Sequence, residues 1–159
     1  MIFVTVGAQM PFDRLVKAVD QWAKENERDD VFAQIGPSEY HPANMQWTNF
    51  LEPEDFKLKY KAANVIVAHA GTGSIITALQ LGKPVLIMPR RANLYETRND
   101  HQRATAEQFR HFDSIVVAWD ESELITKLDS IDNLRGSHKI EPYASGEIVK
   151  SIREFIDGC

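Results

Sequence analysis

The chain has 159 residues, 43% of them apolar and 26% charged, with a formal net charge of −5, which suits a single globular domain able to bury its own core. No stretch approaches the ~18 consecutive apolar residues that a membrane helix needs, and the acidic balance argues against nonspecific nucleic-acid binding, which calls for a basic stripe. The only cysteine, Cys159, excludes an internal disulfide framework and fits a reducing compartment.

The β-branched and aromatic run from Ile2 to Val6 has no basic leader, so it reads as a first strand and not as a signal peptide, and a cytoplasmic location is expected. Gly7 to Gln9 breaks that strand. Pro11 and Asp13 then open a helix whose Phe12, Leu15, Val16, Val19, Trp22 and Ala23 recur at helical spacing. Residues 30–36 predict a second strand closed by Gly36 and Pro37, and residues 46–51 a short third. Pro53, Glu54 and Asp55 mark a helix start, with proline in the first turn and acids where the helix dipole favours them. It ends near Ala63 against a fourth strand, Val65 to Ala68. A glycine turn follows, then a short helix from Ser74 to Leu81 closed by Gly82, and a fifth strand from Pro84 to Met88. Residues 89–99 form a loop rich in Arg and Asn, and a helix runs from Asp100 to about Phe112. Ser114 to Ala118 is a sixth strand, and Asp120 to Leu128 a helix with acids in its first turn. Residues 130–142 read as a surface connection. A last helix, about Ser145 to Ile156, carries Ile148, Val149, Ile152, Phe155 and Ile156 as its apolar stripe.

Strands alternating with helices predict an α/β protein: a single Rossmann-like domain over residues 1–159, with a parallel sheet of about six strands and helices on both faces. In such sheets ligands sit at the carboxyl ends of the strands. The loops that matter are therefore 7–14, 36–44, 69–74 and 89–102.

Of these the 69–74 turn carries the clearest chemistry. Gly71 and Gly73 remove side chains where an oxyanion approaches backbone N–H groups, and Ser74 is placed to cap the helix and donate its hydroxyl. The third glycine of a dinucleotide fingerprint would fall at Ile76, and no Lys-Ser/Thr follows as in a Walker loop, so the pattern is an anion site of neither kind. A plain strand-to-helix turn is the alternative. His69, ending the strand, is either a phosphate ligand or a structural residue satisfied by backbone. No second His or Cys stands at metal-ligand spacing, and no Asp-x-Asp pair occurs, so no metal is expected. Between Met88 and Arg103 the chain carries Arg90, Arg91, Arg98 and Arg103 against Glu96 and Asp100, a local positive excess suited to charge-assisted bonds with phosphate, or else a solvated basic loop. Four successive hydrogen-bonding residues, Asn99, Asp100, His101 and Gln102, suit a polyhydroxyl ligand.

The segments His69 to Ser74, Leu81 to Pro84, Pro89 to Arg91 and Asn99 to Gln102, with Val4 to Gly7, Pro11 to Leu15 and Gln34 to Gly36, resemble the C-terminal, donor-binding domain of glycosyltransferase family 28. The likeness covers most of residues 1–112, and nearest in length is the split type, in which a small subunit holds the nucleotide sugar. The wording around Met88 to Arg91 and Arg98 to Gln102 is especially similar to bacterial exopolysaccharide glucuronosyltransferase subunits. A eukaryotic counterpart of similar pattern is the small subunit of the dolichol-linked N-acetylglucosaminyltransferase.

The resemblance implies the C-terminal half of a glycosyltransferase-B fold and a UDP-sugar as substrate, without metal or cofactor. It puts the diphosphate at Gly71, Thr72, Gly73 and Ser74, to which the residues themselves add His69, Arg90 and Arg91 as candidate diphosphate ligands, and the uracil beside the backbone near Phe50 and Leu51. Asp100, His101 and Gln102 then face the donor sugar, with Asn99 joining them as part of the same polar cluster. Many relatives hold the ribose with a glutamate seven residues before the proline of the fifth strand; here that place is Thr77, a weaker and single partner. The catalytic base is expected on a membrane-associated partner subunit that holds a lipid-linked saccharide, to which this chain would be peripherally attached. A self-contained Rossmann-type nucleotide enzyme and a non-catalytic interaction subunit are the rival readings.

Overall fold

The computed structural model describes residues 1–136 and Lys150. The elements, in chain order, are β1 (Ile2–Thr5), α1 (Asp13–Glu25), β2 (Val31–Gln34), β3 (Gln46–Thr48), α2 (Pro53–Ala62), β4 (Val65–His69), α3 (Thr72–Gln80), β5 (Val85–Met88), α4 (His101–Phe109), β6 (Ile115–Val117) and α5 (Glu121–Leu128), with 3-10 turns at Ala92–Leu94 and Ile131–Asn133. Apart from Lys150, the expected last helix, Ser145 to Ile156, and residues 137–142 of the expected connection lie outside the described residues.

All six strands are parallel, in the order β3-β2-β1-β4-β5-β6. The apolar runs at the sheet centre look continuous in sequence because both faces are covered, and the period of two sorts them. Ile2, Val4, Val67, Leu86 and Met88 point to one face and pack with α1 and α5. Phe3, Ile66, Ala68, Val85 and Ile87 point to the other, where they meet Tyr60 of α2 and Ile75, Ala78 and Leu79 of α3. Across the first layer the indole N–H of Trp22 in α1 donates to Asp129 just after α5 (3.0 Å).

Two boundaries differ from expectation in ways that touch function. The helix after the glycine turn begins at Thr72, two residues before Ser74, with Gly71 as its N-cap and no side-chain cap. The third strand stops at Thr48, short of Phe50 and Leu51; Leu51 instead donates its N–H to the side chain of Gln34 (3.0 Å). The order of the strands reverses between β1 and β4, so the loops after these two strands diverge and leave a crevice at the carboxyl end of the sheet.

Candidate functional site

The crevice is a cleft of about 370 Å³, walled by the turn after β1 (Gly7 to Met10), by His69 and Gly71 after β4, and by Arg90, Glu96, Thr97, His101 and Gln102 beyond β5. It continues outward over Arg98 and Asn99. Three of the four loops singled out by position meet here. The fourth, 36–44, is folded back on α1: Tyr40, Ala43 and Asn44 all donate to the buried carboxylate of Asp20.

His69 forms the floor. Its ring lies against Gly7, which adopts φ +78, and against Gly71, where a Cβ would stand 2.2 Å from Nε2. Alanine at Gly71 therefore collides with the imidazole, whereas at Gly73 nothing lies within 4 Å of the Cβ position. The two glycines thus have different reasons. Gly71 makes room for a protein side chain; Gly73 keeps the outer surface of the helix start bare. His69 Nδ1 is buried and makes no hydrogen bond of proper geometry. Burial, helped by the positive charge of Arg90 and, less, by His101, pulls the imidazole down to about 4 against the opposing pull of the Thr5 backbone. It is neutral at pH 7.

Next to Gly71 the first turn of α3 begins, and Thr72, Gly73 and Ser74 are not among the residues lining the cleft. Ser74 is the third helical residue and not the cap, because Gly71 occupies that place. The first helical bond of this turn runs from the Ile75 N–H to the Gly71 carbonyl (3.2 Å), and the N–H groups of Thr72, Gly73 and Ser74 have no partner among the described residues. The turn is pinned from below by Tyr60, whose hydroxyl donates to the Ser74 carbonyl (3.1 Å). Nothing in the spacing of Tyr60 announces this contact.

Beyond β5 the two neighbouring arginines part company. Arg90 is 4% exposed, and its guanidinium donates to the carbonyls of Val6, Met10, Pro11 and Glu96 at 2.6–3.0 Å. Burial lowers its pKa to about 10, and it stays charged at pH 7. The hydrogen bonds of its guanidinium run to backbone carbonyls, while the residue also borders the cleft. Arg91 turns away into a neighbouring cleft, where it donates to the Trp119 carbonyl (2.8 Å). Of the four residues expected at a sugar, His101 and Gln102 face the main cleft, Asn99 its outer margin and Asp100 the neighbouring cleft. Gln102 is buried and accepts the Arg90 N–H (3.2 Å), and Asn99 accepts from His101. Phe50, Leu51 and Thr77 are not among the residues lining the main cleft; Thr77 donates its hydroxyl proton to the Gly73 carbonyl (2.8 Å), and the side chain of Leu51 packs into the core layer beneath α2 and α3.

The segment is held by a pair that the sequence does not reveal. Arg14 of α1 forks onto Glu96 (Nε to Oε1 2.7 Å, Nη2 to Oε2 2.9 Å), with both side chains 11% exposed, and Glu96 also accepts the Arg91 N–H (2.8 Å). Among the described residues no group of three His, Cys, Asp or Glu side chains could hold a metal ion, and no helix is long and apolar enough to cross a membrane.

A parallel sheet of this order with an open cleft at its switch point is a Rossmann-like domain, and the chain belongs to the family described as the glycosyltransferase family 28 C-terminal domain, whose profile matches residues 1–152. A curated relative, the UDP-N-acetylglucosamine transferase subunit ALG13 of Yarrowia lipolytica, is 26% identical over an alignment of 137 positions, covering 76% of this chain and 65% of that protein. The chain therefore spans about two-thirds of that relative's length. A solution structure of ALG13 superposes with a TM-score of 0.60 at 18% identity, covering 95% of this chain and 93% of that one. MurG of Acinetobacter baumannii gives a TM-score of 0.59 at 19% identity over 82% of this chain and 40% of its own. These likenesses establish the fold, which matches the C-terminal halves of glycosyltransferase-B enzymes.

Proposed function

We propose that the chain is the donor-binding subunit of an inverting, metal-independent glycosyltransferase. It takes a UDP-sugar and works with a membrane-associated partner that holds a lipid-linked saccharide, in exopolysaccharide or glycan assembly. The observation that carries this is the unpartnered first turn of α3, three N–H groups on a bare glycine surface beside a cleft. Such a turn suits a diphosphate.

As the sugar leaves, negative charge grows on the diphosphate. The α3 amides and dipole face that charge, the buried cation of Arg90 adds its field in a poorly solvated site, and neutral His69 offers one N–H without adding charge. His101, Gln102 and Asn99 are available to sugar hydroxyls. The cleft supplies no free carboxylate as a base, since Glu96 is taken up by Arg14 and the Arg91 N–H. We place deprotonation of the acceptor on a second protein, a reading supported by the family's ALG13 relative being called a subunit. With Thr77 bonded to Gly73, ribose recognition needs another group.

Calorimetric titration with UDP tests the donor reading. Binding is expected in the wild type, and Gly73→Val, at a position where an added Cβ meets nothing within 4 Å beyond its own helix backbone and chain neighbours, is expected to fold normally and lose it. Absence of heat at millimolar UDP in folded protein would favour a non-catalytic interaction subunit. Transferase activity is expected only after the membrane-associated partner is added, and full turnover by the purified chain alone contradicts the split arrangement.

A further inference from the structure

On the far side of the 89–100 segment, between the ends of β5 and β6, lies a second cleft of about 400 Å³. Arg91, Asn93, Asp100, Arg103 and Trp119 line it. One guanidinium nitrogen of Arg91 is tied to the Trp119 carbonyl, which fixes the planar group at the end of β6 and leaves its other N–H groups open. The Arg103 guanidinium lies 5.9 Å from the centroid of the Trp119 ring. Neither arginine reaches a carboxylate among the described residues. The single acid of the lining, Asp100, has one oxygen engaged by the Ala92 N–H (3.0 Å). The indole N–H of Trp119 and the amide of Asn93 have no partner there either.

The cleft is thus rich in donors and carries more positive than negative charge, in a chain whose net charge is −5. Arg90, which forms part of its wall, has its guanidinium bonded to backbone on the opposite side. Two guanidinium groups meeting at one concavity suit an oxyanion, because each offers a planar fork that matches carboxylate or phosphate.

We propose that this cleft is a second oxyanion site, separate from the diphosphate cleft, for a carboxylate or phosphate borne on a hydroxylated group. The site rests on Arg91, Arg103 and Trp119, and only the choice of carrier rests on the donor reading. Two carriers in the proposed reaction have such a group: a uronic sugar on the donor and the phosphate of a lipid-linked acceptor.

The three tryptophans make the test specific. In amide–proton correlation spectra of the full chain, the indole N–H of Trp22 is bonded to Asp129 and Trp47 is stacked on His41 after β2, away from this cleft, so Trp119 is the reporter, assigned with Trp119→Phe. Inorganic phosphate and glucuronate are titrated separately, each with and without UDP. The expected result is a millimolar shift of the Trp119 indole alone, retained in UDP, and weakened about tenfold in Arg103→Ala. Arg91→Lys, which keeps the charge and loses the fork, is expected to weaken it as well. The tighter of the two anions identifies the carrier. The site is overturned if neither anion moves the Trp119 resonance of folded protein, if Arg103→Ala leaves the affinity unchanged, or if UDP abolishes the shift, which would place the anion in the donor cleft.

Discussion

The turn after β4 and the segment after β5 both leave buried strands toward the same cleft, and they are built in opposite ways. In the first the protein withholds itself: three amides of α3 stay open and a glycine keeps their surface bare. In the second it ties itself to the rest of the protein, with a buried arginine on four carbonyls and an arginine–glutamate fork clamping the loop to α1. One region is a cradle and the other a strut. A ligand-binding surface must keep its donors free, and the cost of that is bearable only where the neighbouring structure holds the cradle still.

The largest effect is expected in the strut. Glu96→Ala leaves the Arg14 guanidinium buried with only Glu121 as ionic partner, and should cost about 3–5 kcal/mol, the range for breaking a buried pair. Urea denaturation reads it, and a loss below about 1 kcal/mol would show the strut to be no stiffer than a surface ion pair.

Next comes the floor beneath the cradle. Folding favours neutral His69, so its unfolded form takes up a proton near pH 6.5 and its folded form only near 4. The stability it contributes is complete above 6.5 and declines as pH falls toward 4, by about 3 kcal/mol at most. His69→Gln should flatten the stability profile of the wild type across that window. Equal profiles would mean that the ring is better solvated than its burial between Gly7 and Gly71 implies.

A smaller effect separates the two glycines. Gly71→Ala forces a methyl onto the imidazole and should cost about 1–3 kcal/mol, whereas Gly73→Ala should stay within about 0.5 kcal/mol. Equal costs would erase the distinction between room for His69 and room for a ligand.

These pairs mark where the sequence is legible. Alternation of element types announces the parallel sheet, and the positions of the loops announce the cleft, because both follow from local pattern and from the direction of parallel strands. Gly71 and Gly73 look alike in sequence, since their difference lies in what the fold brings against each. Arg90 and Arg91 are adjacent and equally basic, and the direction in which each points is decided by carbonyls supplied by β1 and the turn that follows it. Arg14 and Glu96 are 82 positions apart; no periodicity connects them. The displaced helix start has the same origin. Ser74 is the best capping residue nearby, yet the sharp turn around His69 lets the helix begin at Thr72 with glycine in the cap, and that is what leaves the amides free.

The smallest effect tests whether the cradle depends on being held. Tyr60→Phe keeps the ring that packs edge-on against Phe3 and beside Phe56 and removes only the bond to the Ser74 carbonyl. The hydroxyl is buried, its ionisation pushed up by that burial, and its loss should cost about 1 kcal/mol. If the pin also orients the amides of α3, UDP affinity should fall by about threefold, some 0.6 kcal/mol, in a protein whose melting is otherwise cooperative. If stability falls and affinity does not, the first turn of α3 is rigid by virtue of its own helix, and the strut beyond β5 is left as the main device that shapes the cleft.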